Sequence, residues 1–372
     1  MTVLKVLTVS DGPPASALTN SGVALGLTTA LAASNRVDLV AAVSARPEGL
    51  QRLLLMAATI RPTKKWWWAS FNLGPLNIRV RSALRERAIR RARREGGVDV
   101  VLHIRNIYLP SSTPYVAFID STSKMANQGW SAWRPTTERA RRARFDIERE
   151  YFQGALRVVT AGTQAAASVV NDYEVPSERV QAVGGGVNFN PLPEMIQRPS
   201  GQSILWVGLD FERKGGDILL GAFRIVRDRL PDAKLVLVGA KSPTPQPGVQ
   251  QLGVVRDREK LGELYREASV FCLPARHEPY GLVVQEAMAY ALPCVVSATG
   301  ALPTIVDDGV CGRVSPLTEH DLASALIDLL SDPSRAEEMG RAGRLKVEHQ
   351  LTWDAVAGRI IDGIQQRKVA AS

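Results

Sequence analysis

Residues 270–286 read VFCLPARHEPYGLVVQE. Four apolar residues stop at Pro274, the pattern of a short buried strand that has ended. A polar loop carries Glu278, and Gly281 then opens an apolar run whose second helical turn holds Glu286. Residues 207–216, VGLDFERKGG, make the same arrangement about 65 residues earlier, with Arg213 and Lys214 just before the helix start. Strands joined through helices need right-handed crossovers, and crossovers make a parallel sheet. The fold class is therefore α/β.

The pattern extends in both directions. Strands are expected at 204–207, 234–238, 270–273, 294–297 and 312–314. Helices are expected at 216–230, 258–268, 282–290, 302–306, 318–330 and 336–348. The first half shows the same alternation, with strands at 3–9, 37–43, 98–103, 115–119, 158–161 and 180–183. Its helices are expected at 22–33, 79–94, 136–152 and 163–171. Between the halves, 190–202 (NPLPEMIQRPSGQ) holds three prolines and polar punctuation. The reading is two doubly wound, Rossmann-like domains in tandem, 1–190 and 203–352, with a linker at 191–202 and a last helix in 353–372. Ligands of such sheets sit beyond the carboxyl ends of the strands, so two of them facing each other would bind in the cleft between.

A chain of 372 residues with 45% apolar and 22% charged residues is neither disordered, collagenous nor disulfide-stapled. No apolar run reaches the roughly 18 residues of a spanning helix. Residues 1–11 read as a first buried strand and not as a signal peptide. The expectation is a cytoplasmic protein, free or peripheral at the inner face of a membrane. Cys272, Cys294 and Cys311 form no CxxC pair and read as buried thiols of a reducing compartment. The four histidines have no partner at ligand spacing, so no metal site is expected.

Charge is uneven. Residues 1–195 hold 25 Lys/Arg against 15 Asp/Glu, and 196–372 hold 21 against 22. The densest basic stretch is 79–94 (RVRSALRERAIRRARR), and 139–149 is a second. Two readings stand: a solvated Arg-rich surface, or a patch for an anionic membrane, helped by Trp66-Trp67-Trp68 beside Lys64-Lys65. Nucleic acid is disfavoured, because no helix-turn-helix, RNP-type or zinc-finger pattern occurs.

The two strand-to-helix turns suit a nucleotide sugar. Free amides of a helix start and the helix dipole attract a pyrophosphate. Ionised carboxylates accept hydrogen bonds from vicinal hydroxyls. The amides of Gly281, Leu282 and Val283 would take phosphate and sugar oxygens, Glu278 and Glu286 would take hydroxyls, and Arg213 with Lys214 would meet the leaving pyrophosphate. The plainer alternatives are that Glu278 caps the helix, that Glu286 lies on an exposed face, and that the two bases are solvated.

Residues 203–360 resemble the nucleotide-sugar half of the family-4 glycosyltransferases, whose fold is GT-B. The resemblance rests on the E-x7-E motif at Glu278 and Glu286, Arg213-Lys214-Gly215, Ala287-Met288-Ala289, and Asp308-Gly309 with Gly312. The family's last helix crosses back to the first domain, which the tail from Trp353 would fit. The resemblance implies retaining transfer of a sugar from a UDP- or GDP-sugar, without a metal, to an acceptor hydroxyl bound mainly by the first domain. The acceptor would be a polysaccharide, glycolipid or secondary metabolite, free or lipid-linked. It implies that Glu286 holds the ribose, Glu278 the donor sugar, and Arg213 and Lys214 the pyrophosphate, with Gly208 and Gly239 lining the donor site. Retention without an obvious second carboxylate favours front-face displacement.

This chain departs from the family in four places. Leu209 stands where an Arg is frequent, the acceptor-side glycine pair is Ser21-Gly22, and Thr304 replaces an acid after Gly300-Ala301-Leu302-Pro303. Asp120 stands at the strand end where a His is frequent. Three roles are open to it: binding the donor sugar, acting as base on the acceptor, or capping the next helix. Two rival functions remain, a GT-B nucleotide-sugar epimerase and a non-catalytic module for an anionic partner.

Overall fold

A computed structural model of the chain describes residues 3–17, 19–129, 137–195, 201–242 and 244–371. The chain divides into two compact units, Met1–Gly186 with Trp353–Ser372, and Val187–Thr352.

The strands of the first unit are β1 (Leu4–Ser10), β2 (Val37–Ser44), β3 (Val100–Ile104), β4 (Tyr115–Ile119), β5 (Arg157–Thr160) and β6 (Val180–Ala182). They form one parallel sheet in the order β2-β1-β3-β4-β5-β6. Its helices are α1 (Val23–Ala33), α2 (Gly49–Ala58), α3 (Lys64–Leu73), α4 (Pro75–Glu95), α5 (Ser123–Gly129), α6 (Glu138–Gly154) and α7 (Thr163–Tyr173). Strands β3 and β4 are buried along their whole length, which explains why β4 is apolar throughout and β3 apolar but for His103.

Three of these helices are absent from the sequence reading. Helices α2 and α3 fall in a stretch to which the sequence reading assigned no element, and α5 begins three residues after Asp120. Helix α4 begins at Pro75, four residues before the expected start, because proline at N1 has no N–H to waste. Residue 136, the expected start of the next helix, lies outside the described residues; α6 begins after Thr137, whose hydroxyl accepts from the Ala140 N–H at 3.1 Å.

In the second unit the strands are β7 (Ser203–Gly208), β8 (Lys234–Gly239), β9 (Val249–Gly253), β10 (Val270–Leu273), β11 (Cys294–Ser297) and β12 (Gly312–Ser315). The sheet is again parallel, in the order β12-β11-β10-β7-β8-β9. Helices α8 (Gly216–Arg229), α9 (Arg258–Glu267), α10 (Leu282–Ala289), α11 (Leu302–Ile305), α12 (Glu319–Ser331) and α13 (Pro333–Gln350) connect the strands. Strand β9 (VQQLG) was not expected: two glutamines dilute its apolar signal, as suits a sheet edge.

The division between units falls after Gly186, ahead of the expected 191–202 linker. Val187 is buried in the second core, and its N–H donates to the Leu351 carbonyl at 2.8 Å. Pro193 also belongs to packed structure, its carbonyl accepting from Arg344 Nη1 at 2.6 Å. Residues 196–200 of the expected linker lie outside the described residues. Helix α14 (Trp353–Ala371) is part of the first unit: it packs on α1, and Arg359 Nε donates to the Val183 carbonyl at 2.8 Å. No helix among the described residues is long and apolar enough to cross a membrane.

Candidate active site

The sheet order of the second unit explains why the two quoted stretches belong together. Strand β7 pairs in parallel with β10, Ile204 opposite Val270 and Leu205 opposite Phe271. Beyond β7 the chain runs outward to β8, and beyond β10 to β11, so the sheet reverses direction between them. A doubly wound sheet opens a ligand crevice at such a reversal. Arg213 and Lys214 follow β7, Glu278 follows β10, and the two loops lie side by side.

The loops are bonded to one another. The Arg276 N–H donates to the Arg213 carbonyl at 2.8 Å. Arg213 Nη1 donates to the His277 carbonyl at 2.6 Å. Arg276 then grips Asp217 on α8 through two bonds of 2.6 Å. Asp210 receives the backbone N–H of Arg213 at 3.2 Å and its Nε at 3.3 Å. The Trp206 indole donates to the Lys214 carbonyl at 3.1 Å. Gly208 leaves room for the Lys214 stem, since a methyl there would stand 2.5 Å from Lys214 Cδ.

Arg213 and Lys214 converge on Glu278. Lys214 Nζ is 3.5 Å and Arg213 Nη1 3.6 Å from Glu278 Oε2. All three side chains are largely shielded from water. Burial alone would raise the Glu278 carboxyl, but the neighbouring Lys214 ammonium and Arg213 guanidinium, with the Gly281 N–H, hold it below its ordinary value. Arg213 is shared between Asp210 and Glu278, while Lys214 pairs with Glu278 alone.

Glu278 does cap in part, because its Oε1 accepts from the Gly281 N–H at 3.1 Å. That corrects the expectation for Gly281, whose amide is already engaged. Leu282 and Val283 supply the first-turn amides of α10, which an α-helix leaves without intrahelical acceptors. The exposed-face alternative for Glu286 is overturned. Glu286 is 8% exposed and accepts from the Tyr265 hydroxyl at 3.2 Å. Burial pushes its carboxyl above its ordinary value, and the Tyr265 bond takes back only part. Gly239, at the end of β8, packs against the Gly208 carbonyl, so both expected glycines line the same strand ends. Sequence reasoning missed Tyr265, which has no sequence link to Glu286, and Asp210, whose place three residues before Arg213 is an Asx-turn signal.

The residues expected on the acceptor side, Ser21, Gly22 and Asp120, lie in the first unit. Asp120 ends β4, half-buried, with no hydrogen bond or ion pair to the described residues. It does not cap α5: the Met125 N–H goes to Thr122 Oγ1 at 3.3 Å. The loop bearing Asp120 is fixed from below by Glu148, a fully buried carboxylate that accepts the Ser123 N–H at 2.9 Å and bonds Asn106 and Tyr173. Ser21 and Gly22 precede α1 with φ of 55° and 85°. Strand β3 lies between β1 and β4, so Asp120 stands about two strand spacings, roughly 10 Å, from the β1 edge.

The basic stretches are only partly surface. Arg81 and Arg85 of α4 are buried, Arg85 donating to the Leu109 and Pro110 carbonyls at 2.6 and 3.1 Å. Arg144 of α6 is buried beside Glu148. The three cysteines are buried and unbridged.

Comparison with known proteins bears on the family and the fold. Residues 201–332 match the family Glycosyl transferases group 1. Alpha-maltose-1-phosphate synthase of Mycolicibacterium smegmatis is 30% identical over 60% of this chain and 66% of its own length. The chain spans between 51% and 66% of the length of the curated relatives it matches. Among solved structures, sucrose-phosphate synthase from Thermosynechococcus elongatus superposes with a TM-score of 0.69 at 20% identity, over 99% of this chain and all of that one. Anabaena Alr3699/HepE in complex with UDP-glucose superposes with a TM-score of 0.63 at 15% identity, over 98% of this chain and all of that one. The chain therefore has the GT-B fold of two Rossmann-like units, and residues 201–332 carry a glycosyl transferases group 1 domain.

Proposed function

We propose that this chain is a retaining glycosyltransferase that moves a sugar from a nucleoside-diphosphate sugar to an acceptor hydroxyl. One observation carries the reading: Lys214 and Arg213 converge on Glu278 at the sheet reversal, with buried Glu286 on the helix that follows. The pyrophosphate is the anion for the two bases and for the first-turn amides of α10. The glutamates accept hydroxyls, Glu286 from the ribose and Glu278 from the donor sugar. Relatives by sequence or fold are named for sugar transfer, and one neighbour holds UDP-glucose.

In the reaction the bond from the anomeric carbon to the β-phosphate oxygen breaks. The acceptor oxygen bonds to the same face of that carbon, and its proton passes to the departing phosphate oxygen. Charge develops on that phosphate, and Lys214 and Arg213 are prearranged to stabilise it. The proposal assigns that task to these side chains and not to a divalent cation. Asp120, which makes no hydrogen bond or ion pair to the described residues, is assigned to the acceptor.

The test is a thermal-shift panel of UDP, GDP, ADP and dTDP, each with Mg²⁺ or EDTA. A ligand at about 100 times its dissociation constant stabilises by roughly 2.7 kcal/mol. One winner, indifferent to the metal and lost in Glu286→Ala, supports the donor site. No shift with any nucleotide sinks it in favour of a non-catalytic module. Turnover of the donor without acceptor would make the chain an epimerase.

Peripheral membrane contact has its own observation. Residues 49–80 contain no Asp or Glu but five Lys/Arg. Leu50, Leu53, Leu54 and Ile60 on and after α2 are each more than 60% exposed, and Trp66 and Trp68 of α3 also face outward. Trp67 turns inward, its indole donating to the Met56 carbonyl at 3.0 Å. Bases flanking exposed apolar side chains suit an anionic bilayer surface. Flotation with phosphatidylglycerol vesicles, but not with phosphatidylcholine vesicles, is the expected result.

A further inference from the structure

The carboxyl edge of the first sheet holds a recess of about 390 Å³. Its charged lining comes from five separate segments. Asp11, Arg46 and Arg105 stand just past the ends of β1, β2 and β3, which are neighbours in the order β2-β1-β3. Helix α2 adds Arg52 and α4 adds Arg81, while Phe71 of α3 forms an apolar wall. Four guanidiniums thus face a recess that contains one carboxylate.

The pairing inside it is incomplete. Asp11 is taken by Arg81 at 3.1 Å. Arg46 and Arg52 pair with no carboxylate among the described residues. Arg81 is 4% exposed, and its Nε has no hydrogen-bond partner. Burial, together with the charges of Arg105 and Arg144, pulls the Arg81 guanidinium below its ordinary value against the pull of Asp11. The backbone of Arg105 is left-handed, φ 94°, and is pinned there by its N–H to the Phe118 carbonyl at 2.9 Å. A non-glycine residue held in that region is a frequent mark of a ligand site. Like charges gathered in one recess, one of them buried with an orphaned donor, are stable arrangements when an anion completes them.

We propose that this recess is the anion subsite of the acceptor, and that the acceptor carries a phosphoryl group bound by Arg46, Arg52, Arg81 and Arg105. The proposal rests on the transferase reading above. Guanidinium forks match phosphate oxygens in pairs, and the volume suits a sugar-sized body. The β1/β3 reversal of this sheet order is where such folds bind ligands. The phosphoryl group has two possible sources, a free sugar phosphate or a lipid headgroup. Arg52 lies on the same helix as the exposed leucines 50, 53 and 54, which is why the second source is tested directly.

The experiment uses the full chain in four forms: wild type, Arg46→Ala/Arg52→Ala, Lys214→Ala, and Arg90→Ala/Arg94→Ala as a control for charge alone. Calorimetry with glucose 1-phosphate, glucose 6-phosphate and glucose is run beside binding of phosphatidylglycerol vesicles. The expected result is phosphate-dependent binding that falls by about tenfold or more in Arg46→Ala/Arg52→Ala, on the scale of losing charge-assisted bonds. Lys214→Ala and the control should stay within about twofold of wild type on the same scale. That loss with sugar phosphates assigns a soluble acceptor; the same loss with vesicles alone assigns a lipid phosphate. Binding abolished by Lys214→Ala instead, or reduced equally by the control, overturns the subsite. So does no binding of either probe while nucleotide diphosphate still binds. If phosphate binds the recess but no nucleotide binds, the transferase reading falls and the acceptor role with it. Arg46 and Arg52 are exposed, so their loss should leave the melting temperature unchanged, which checks folding.

Discussion

At the residue scale, the site depends on two glutamates whose environments push them in opposite directions. Glu278 is held ionised by two cations, while Glu286 is held back from ionising by burial. If Glu286 must accept ribose hydroxyls as a carboxylate, nucleotide binding should weaken on acidification already above pH 4.5, where an ordinary glutamate is still charged. The sign for stability is opposite. The unfolded chain releases this proton first, so ionisation costs folding stability as pH rises from the unfolded to the folded value. Glu286→Gln should therefore raise the melting temperature at pH 7, weaken nucleotide binding and flatten its acid limb; calorimetry across pH reads all three. In the proposed reaction Lys214 stabilises the leaving-group charge. Lys214→Ala should lower kcat by about 10²–10³, near 3 kcal/mol, with a smaller change in nucleotide affinity. Near-normal turnover would refute the assignment.

At the element scale, most starts and stops follow local chemistry. Pro75 and Pro333 open α4 and α13 at N1, and the hydroxyls or carboxylates of Thr63, Thr137, Asp257, Thr318 and Asp332 cap α3, α6, α9, α12 and α13. The loops of the donor site have a different support. Gly215 adopts φ 68°, and a methyl there would collide with the Pro274 carbonyl, so the loop after β7 sits directly against the chain leaving β10. The Arg276–Asp217 clamp fastens the same junction. Its charges are well exposed, so it is worth about 1 kcal/mol or less despite its two-bond geometry. The bond from Arg276 holds the Asp217 carboxyl below its ordinary 3.8. Stability from a depressed carboxyl is present above the unfolded value and lost as pH falls through the folded one. The urea-stability gap between wild type and Asp217→Asn should thus hold down to that pH and close below it.

At the scale of the whole molecule, the first unit is discontinuous in sequence. Residues 353–371 complete it, with Trp353, Val356, Ile360, Ile361 and Ile364 buried. The Trp353 ring fills the space left by Gly26 and Gly186, where a methyl would lie 2.1 and 2.4 Å from its atoms. Trp353→Ala should cost about 3–5 kcal/mol, the range for losing a large buried aromatic. Scanning calorimetry should show the loss in the transition that nucleotide does not shift, because the proposed donor residues belong to the other unit. A loss confined to the nucleotide-stabilised transition would contradict the assignment of α14.

The alternation of strands and helices was readable from the sequence because it is local: an apolar run, a breaker and a capped helix are all decided within a dozen residues. Arg213-Lys214 and Glu278 could be singled out for the same reason, each standing at such a turn. Helices α2 and α3 were missed because they precede α4 with no strand between them, outside the strand–helix alternation; β9 was missed because its glutamines hide it at an edge. The pairing of β7 with β10, which brings two loops 65 residues apart onto one carboxylate, is a matter of strand order. Neither that order, nor the Tyr265 hydroxyl beneath Glu286, nor the gathering of Arg46, Arg52, Arg81 and Arg105 has a local signal. Each is settled by which strands lie next to each other once the core is buried, and burial is a property of the folded chain alone.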